Sequence, residues 1–164
     1  MRRLLAGSNR KTTFVLALTI SSAVLIPPIA GAIGGQAKAA NRLKLEAARG
    51  TSFTRAKHIG LAVILYASAH KSTFPKASSS AAAFREVAPY DKTKDLFVSL
   101  NPNGRRFEFN LALSGKPMAG PNVAQMVLAY DEKPWPDQSR IVVFGDGHAE
   151  ILSQTAWKKV LPNR

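Results

Sequence analysis

Between Thr12 and Ala37 the chain carries no charged residue, and Phe14 to Ile26 (FVLALTISSAVLI) is almost continuously apolar. A helix over Phe14 to Ala37 would be about 36 Å long at 1.5 Å per residue, enough to cross a hydrocarbon core of about 30 Å. So long an uncharged run is hard to bury in a small domain, which sets membrane insertion above a core helix. Arg2, Arg3, Arg10 and Lys11 stand before it. The positive-inside bias then leaves a short N-terminal tail in the cytoplasm and exports everything that follows. Pro27 and Pro28 interrupt the run, and an internal helical proline removes a hydrogen bond and clashes with the preceding turn. Two outcomes stay open: a retained, kinked membrane helix, or a signal peptide cleaved after Ala30-Gly31-Ala32 or Ala37-Lys38-Ala39. Both export the chain.

Charge and composition narrow the remainder. The formal net charge is +13 over 164 residues, and it is concentrated before residue 76. Residues 76–164 carry twelve basic and nine acidic side chains, so a basic anchor and stalk accounts for most of the excess. The length leaves no room for a second full catalytic domain. The chain has no cysteine, which excludes disulfides, thiolate metal sites and cysteine nucleophiles. G-x-S-x-G, H-E-x-x-H and phosphate-binding glycine loops are absent too, so an enzyme is not expected.

Beyond the apolar run there is no proline until Pro75, and small or apolar residues at Phe53, Ala56, Ile59, Gly60, Val63, Tyr66, Ala67 and His70 follow one helical face. A long amphipathic helix is expected, with a soft joint at Gly50-Thr51-Ser52 and an end at Thr73-Phe74-Pro75. The remainder reads as a small antiparallel head. Ser78-Ser79-Ser80 caps a short helix that stops at Pro89, and Asn101-Pro102-Asn103-Gly104 makes a turn. Strands are expected at Arg106 to Leu113, Gln125 to Tyr130, Arg140 to Phe144 and His148 to Leu152, followed by a helix capped by Ser153 or Thr155. The expected class is α+β: a basic tail (1–11), a membrane helix (12–37), a helical stalk (38–75) and an exported β-rich head (76–164).

Two strings resemble a known family. Lys57-His58-Ile59-Gly60-Leu61-Ala62-Val63-Ile64-Leu65-Tyr66-Ala67 with the closing Phe74-Pro75 resembles the end of the long N-terminal helix of prepilin-like proteins, the type IV pilins and type II secretion pseudopilins. Val142-Val143-Phe144-Gly145-Asp146-Gly147-His148-Ala149-Glu150 resembles a subgroup that ends in a V-x-F-x-D-G-H-x-E hairpin. The resemblance implies a pilin-like fold, a single pass through the inner membrane with the head outside the cytoplasm, and a structural role beside other such subunits. The chain departs from the family in three places. Thr12 stands where the processing glycine would be, Ala17 where the assembly glutamate would be, and Pro136 where the subgroup often has a histidine. Two rival readings remain: a secreted binding domain released by signal peptidase, or a nucleic-acid or envelope-polymer binder built on the basic stalk.

Few residues read as candidates for chemistry. Gly145-Asp146-Gly147-His148 is a hairpin turn, since Asp and Gly tolerate positive φ. Asp131 and Asp146, with Glu132, Asp137 and Glu150 near in sequence, are the only oxygen-rich set that could take calcium, and no other cofactor is implied. Trp135, between Pro134 and Pro136, is a candidate exposed anchor for a partner, although packing over the sheet is the favoured alternative. His58 and His70 lie twelve apart and form no metal pair at helical spacing.

Overall fold

The computed structural model describes residues 30–160. Helix α1 runs Ala30–Ala69 without a break, so the joint expected at Gly50 is absent. Three hydroxyls in that stretch donate to the carbonyl four residues back: Thr51 to Ala47 (3.1 Å), Ser52 to Ala48 (2.9 Å) and Thr54 to Gly50 (3.1 Å). Their polar groups are thereby satisfied inside the helix and do not compete with it. The end also differs from expectation. Helical hydrogen bonding stops before Pro75 exerts its effect, because Lys71 and Ser72 turn left-handed (φ 53° and 54°) and the Ser72 amide donates to Ala67 O at 2.8 Å.

The other elements are α2 (Ser80–Val87), β1 (Phe107–Phe109), β2 (Val127–Asp131), β3 (Arg140–Phe144), β4 (Ala149–Leu152) and α3 (Gln154–Val160). The strands form one antiparallel meander in the order β1-β2-β3-β4. This is an α+β fold with a long N-terminal helix. Ser79 caps α2, its side chain accepting from the Ala82 amide, and Ser153 caps α3 through the Ala156 amide. Strand β1 is shorter than the alternation of residues 106–113 suggests. Asn110 ends it by donating from Nδ2 to Val127 O at 2.7 Å while Oδ1 accepts from the Ala112 amide, which curls residues 111–113 into a single 3-10 turn.

The sheet is covered on both faces. Ile141 and Val143 point to α1 and share the main core with Ala56, Ile59, Ala62 and Val63, all fully buried. Val142 and Phe144 point the other way and pack with Val127 and Trp157 of α3. A bulge between Val127 and Ala129 lets Leu128 and Ala129, adjacent in sequence, both join the α1 side. Residues 35–44 of α1 are exposed, and from Leu45 onward the helix begins to meet the head. Among the described residues no helix is long and apolar enough to cross a membrane. Residues 12–29 of the expected span, the tail 1–11 and Leu161 lie outside the described residues.

Candidate functional site

Two constructions dominate the part of the head where the sequence concentrates its candidates. The first is a buried carboxylate. Asp131 ends β2, pairs with Phe107 of β1 and is fully buried. Its Oδ1 accepts from Ser99 Oγ at 2.6 Å, and its Oδ2 accepts from Trp135 Nε1 at 2.7 Å and from the Ile141 amide at 2.8 Å. One side chain therefore ties together the 99–101 loop, the β2–β3 connection and the start of β3. Burial drives the carboxyl pKa above its ordinary value. The donors from Ser99, Ile141 and Trp135 and the nearby Arg140 charge offset that rise only in part.

Trp135 is fully buried, the packed alternative, and is not an exposed aromatic anchor. Its indole N–H is drawn inward by Asp131, and the Arg49 guanidinium stacks over the ring with 5.0 Å to the centroid. The loop closes beneath it, the Trp135 amide donating to Ser139 O and the Gln138 amide to Trp135 O, both at 2.8 Å. Flanking prolines signalled an irregular loop; they gave no sign of which way its ring points.

The second construction is the crossing of α1 by the β3–β4 turn. Gly145-Asp146-Gly147-His148 makes that turn, with Gly147 at φ 89°. An ideal Cβ built on Gly60 would collide with the Gly147 carbonyl and lie 2.7 Å from Gly147 Cα. The two strings that carry the family resemblance thus meet at their glycines, backbone to backbone. Asp146 Oδ1 accepts from the His148 amide at 3.1 Å and pairs with His148 Nδ1 at 2.5 Å, so these two side chains do converge. His148 stacks on Phe144, ring centroids 4.4 Å apart, and its Nε2 is 3.6 Å from Glu150 Oε1.

The acidic residues do not gather. Asp131 sits opposite the start of β3, while Asp146 lies beyond its far end, so the calcium candidates are separated by about five strand residues, or roughly 16 Å. Asp137 pairs with Arg49 at 2.8 Å and Glu132 with Arg106 at 3.0 Å. Asp131, Glu132 and Asp137 are each spent on different partners, Asp146 and Glu150 both face His148, and Asp131 has both oxygens filled by donors, so Asp131 and Asp146 share no site here. Among the described residues no group of three His, Asp or Glu side chains is arranged to hold a metal ion. Asp146→Ala is expected to cost about 1 kcal/mol by loosening the turn, with calcium leaving the melting temperature of both proteins unchanged. A calcium-dependent shift that disappears in the variant would restore the metal reading.

No family model, curated protein or solved structure matches this chain. The functional reading therefore rests on the arrangement itself and on the resemblance of the two strings.

Sequence reading also missed a pair that fastens the segment following α2 to α1. His58 Nδ1 lies 2.8 Å from Asp91 Oδ2, and the Asp91 carboxylate accepts from the Thr93 amide at 2.6 Å. Their spacing of 33 residues left no signal in the sequence. Desolvation alone would raise the Asp91 pKa, but the Thr93 and His58 hydrogen bonds outweigh it and the net shift is downward. Asp137, beside Ser139 and Arg49, and Asp146, beside His148, are lowered in the same way. Because these values lie below that of an unfolded aspartate, about 3.9, the stability they supply is complete above that pH and is lost as pH falls through the lowered values. Urea melts between pH 5 and pH 2 should show this loss, with a shallower slope in Asp91→Asn.

Proposed function

We propose that this chain is a non-enzymatic, pilin-like or pseudopilin-like subunit of the cell envelope, anchored in the inner membrane by residues 12–37 with its head outside the cytoplasm. The observation that carries the reading is the division of α1. Residues 38–44 are wholly exposed and follow directly on the uncharged run, whereas Ala56, Ile59, Ala62 and Val63 are fully buried under an antiparallel sheet. On this reading α1 leads from the side of the uncharged run into the core of the head. Such a device suits a subunit that presents a surface or packs beside its neighbours. The meeting of Gly60 with Gly147 adds support, because it makes a single structural unit of the two strings that resemble the family.

The test is the intact mass and N-terminal sequence of the mature protein recovered from its native envelope fraction. A chain that begins at or before Lys11, retains Phe14 to Ala37 and resists carbonate extraction is the expected result. A soluble chain beginning near Ile33 or Ala40 would replace the anchored subunit with a released head.

A further inference from the structure

We infer that the outer edge of β4 receives an extended strand of a different polypeptide, one that sets an apolar side chain beside Ile151. The hydrogen-bond register shows what that edge offers. Phe144 N donates to His148 O at 2.8 Å, and bonded positions of an antiparallel pair alternate from there, so Glu150 and Leu152 are the residues of β4 that bond to β3. The Ile141 amide, opposite Ile151, points instead to Asp131 on the β2 side, in keeping with that alternation. Ala149 and Ile151 therefore aim their N–H and C=O groups away from the sheet, where they meet no partner among the described residues. Ile151 is also exposed, on the same face of β4 as Ala149, which packs against the main core. β4 runs back from the turn beside the stripe of α1 that meets it at Gly60, where Lys57, three residues earlier, lies over Phe53. Polar groups spaced for a ladder, with one exposed branched side chain among them, recognise an extended main chain first and a side chain second.

A second copy of this chain does not fit the edge. The opposite side of the sheet is closed: Phe107 N donates to Phe97 O and Phe109 N to Ser80 Oγ, so copies cannot join β4 to β1. Symmetric pairing of two β4 strands fails for another reason. α1 runs along β3, from Arg49 stacked over Trp135 before the strand to Gly60 against Gly147 beyond it. Two identical edges pair antiparallel about a dyad normal to the sheet, which reverses one α1 against the other. Chains anchored in one bilayer through the N-terminal side of α1 cannot adopt that arrangement. This step rests on the anchored reading, and it leaves a strand from another envelope protein as the occupant.

The test begins with amide exchange of the purified full chain in lipid nanodiscs, where Ala149 and Ile151 should exchange at least about tenfold faster than Glu150 between them. In the native envelope, Ile151→p-benzoylphenylalanine should give, on irradiation, an adduct with a different polypeptide. Ala149→Pro should cut that adduct about tenfold, because it removes one outward N–H and no bond to β3. Ile151→Pro, with the photoprobe moved to Lys57, repeats the measurement where Ala149→Pro does not fold. Exchange at Ala149 and Ile151 as slow as at Glu150 in the purified chain overturns the open edge. No adduct, an adduct of two copies of this chain, or an adduct undiminished by the proline overturns the occupant. Carbonate extraction of the same membranes reads the anchoring by itself: a resistant chain without the adduct fails the inference alone, whereas an extractable chain removes the reading beneath it.

Discussion

Asp131→Ala is expected to destabilise the head by about 3–5 kcal/mol, enough to unfold many domains of ordinary stability. The size follows from what the substitution strands. The indole N–H of Trp135, the amide of Ile141 and the hydroxyl of Ser99 all donate to this one carboxylate in a region without solvent. Removing the acceptor leaves each of them buried and unpaired, at about 1–3 kcal/mol apiece before relaxation. Asp131→Asn should be much milder. Its amide oxygen can take the place of Oδ2 and keep Trp135 and Ile141, while its NH2 faces a serine oxygen that can accept. The pH dependence separates the two causes. The Asp131 pKa is raised on folding, so the folded protein holds that proton more tightly than the unfolded chain does. Stability attributable to this group therefore falls as pH rises from about 4 through the raised value, and Asp131→Asn should flatten that part of the curve. Tryptophan-detected melts of the full chain report it directly, because Trp135 and Trp157 are the only tryptophans and both are buried in the head. If the alanine and asparagine variants melt alike, the acceptor network is not what holds the three segments.

These same residues show where the sequence was readable and where it was not. The long helix was legible because its buried positions recur with helical period, and Ile141 to Phe144 because a run of branched and aromatic residues bounded by turn chemistry has few alternatives. Asp131 entered the sequence reading only as one member of an oxygen-rich set, with nothing to mark its structural role. Its true partners lie 32, 4 and 10 residues away and include a main-chain amide, which leaves no compositional trace. The packing of Trp135 was open to a sequence reading, but its hydrogen bond to Asp131 was not. Ser52 is another case: beyond its bond within α1 it accepts from the Leu100 amide at 2.8 Å, a docking contact invisible to helix propensity.

Gly60→Ala and Gly50→Ala should have opposite signs although both replace a glycine in the same helix. Alanine is favoured over glycine inside a helix by about 1 kcal/mol, and at Gly50, where a Cβ would meet nothing within 4 Å, that gain should appear in full. At Gly60 the new Cβ would fall on the Gly147 carbonyl, with Gly147 Cα at 2.7 Å. The obstacle is backbone, so no side chain can rotate away, and the β3–β4 turn must lift from the helix. Overpacking of this kind costs about 1–3 kcal/mol or somewhat more, which outweighs the helical gain. Gly147→Ala should be destabilising for a different reason. There the Cβ would press on Ile64 Cδ1, a flexible side-chain end that can yield, but φ at 89° is unfavourable for alanine whatever the space. Because the two glycines share one contact, the double variant should depart from additivity, the coupling energy reporting how tightly the turn is seated. Full-chain melts of the four variants beside the parent decide it. Should Gly60→Ala melt higher than the parent, as Gly50→Ala is expected to, the close crossing is not present in solution, and the support it lends to a pilin-like unit is withdrawn with it.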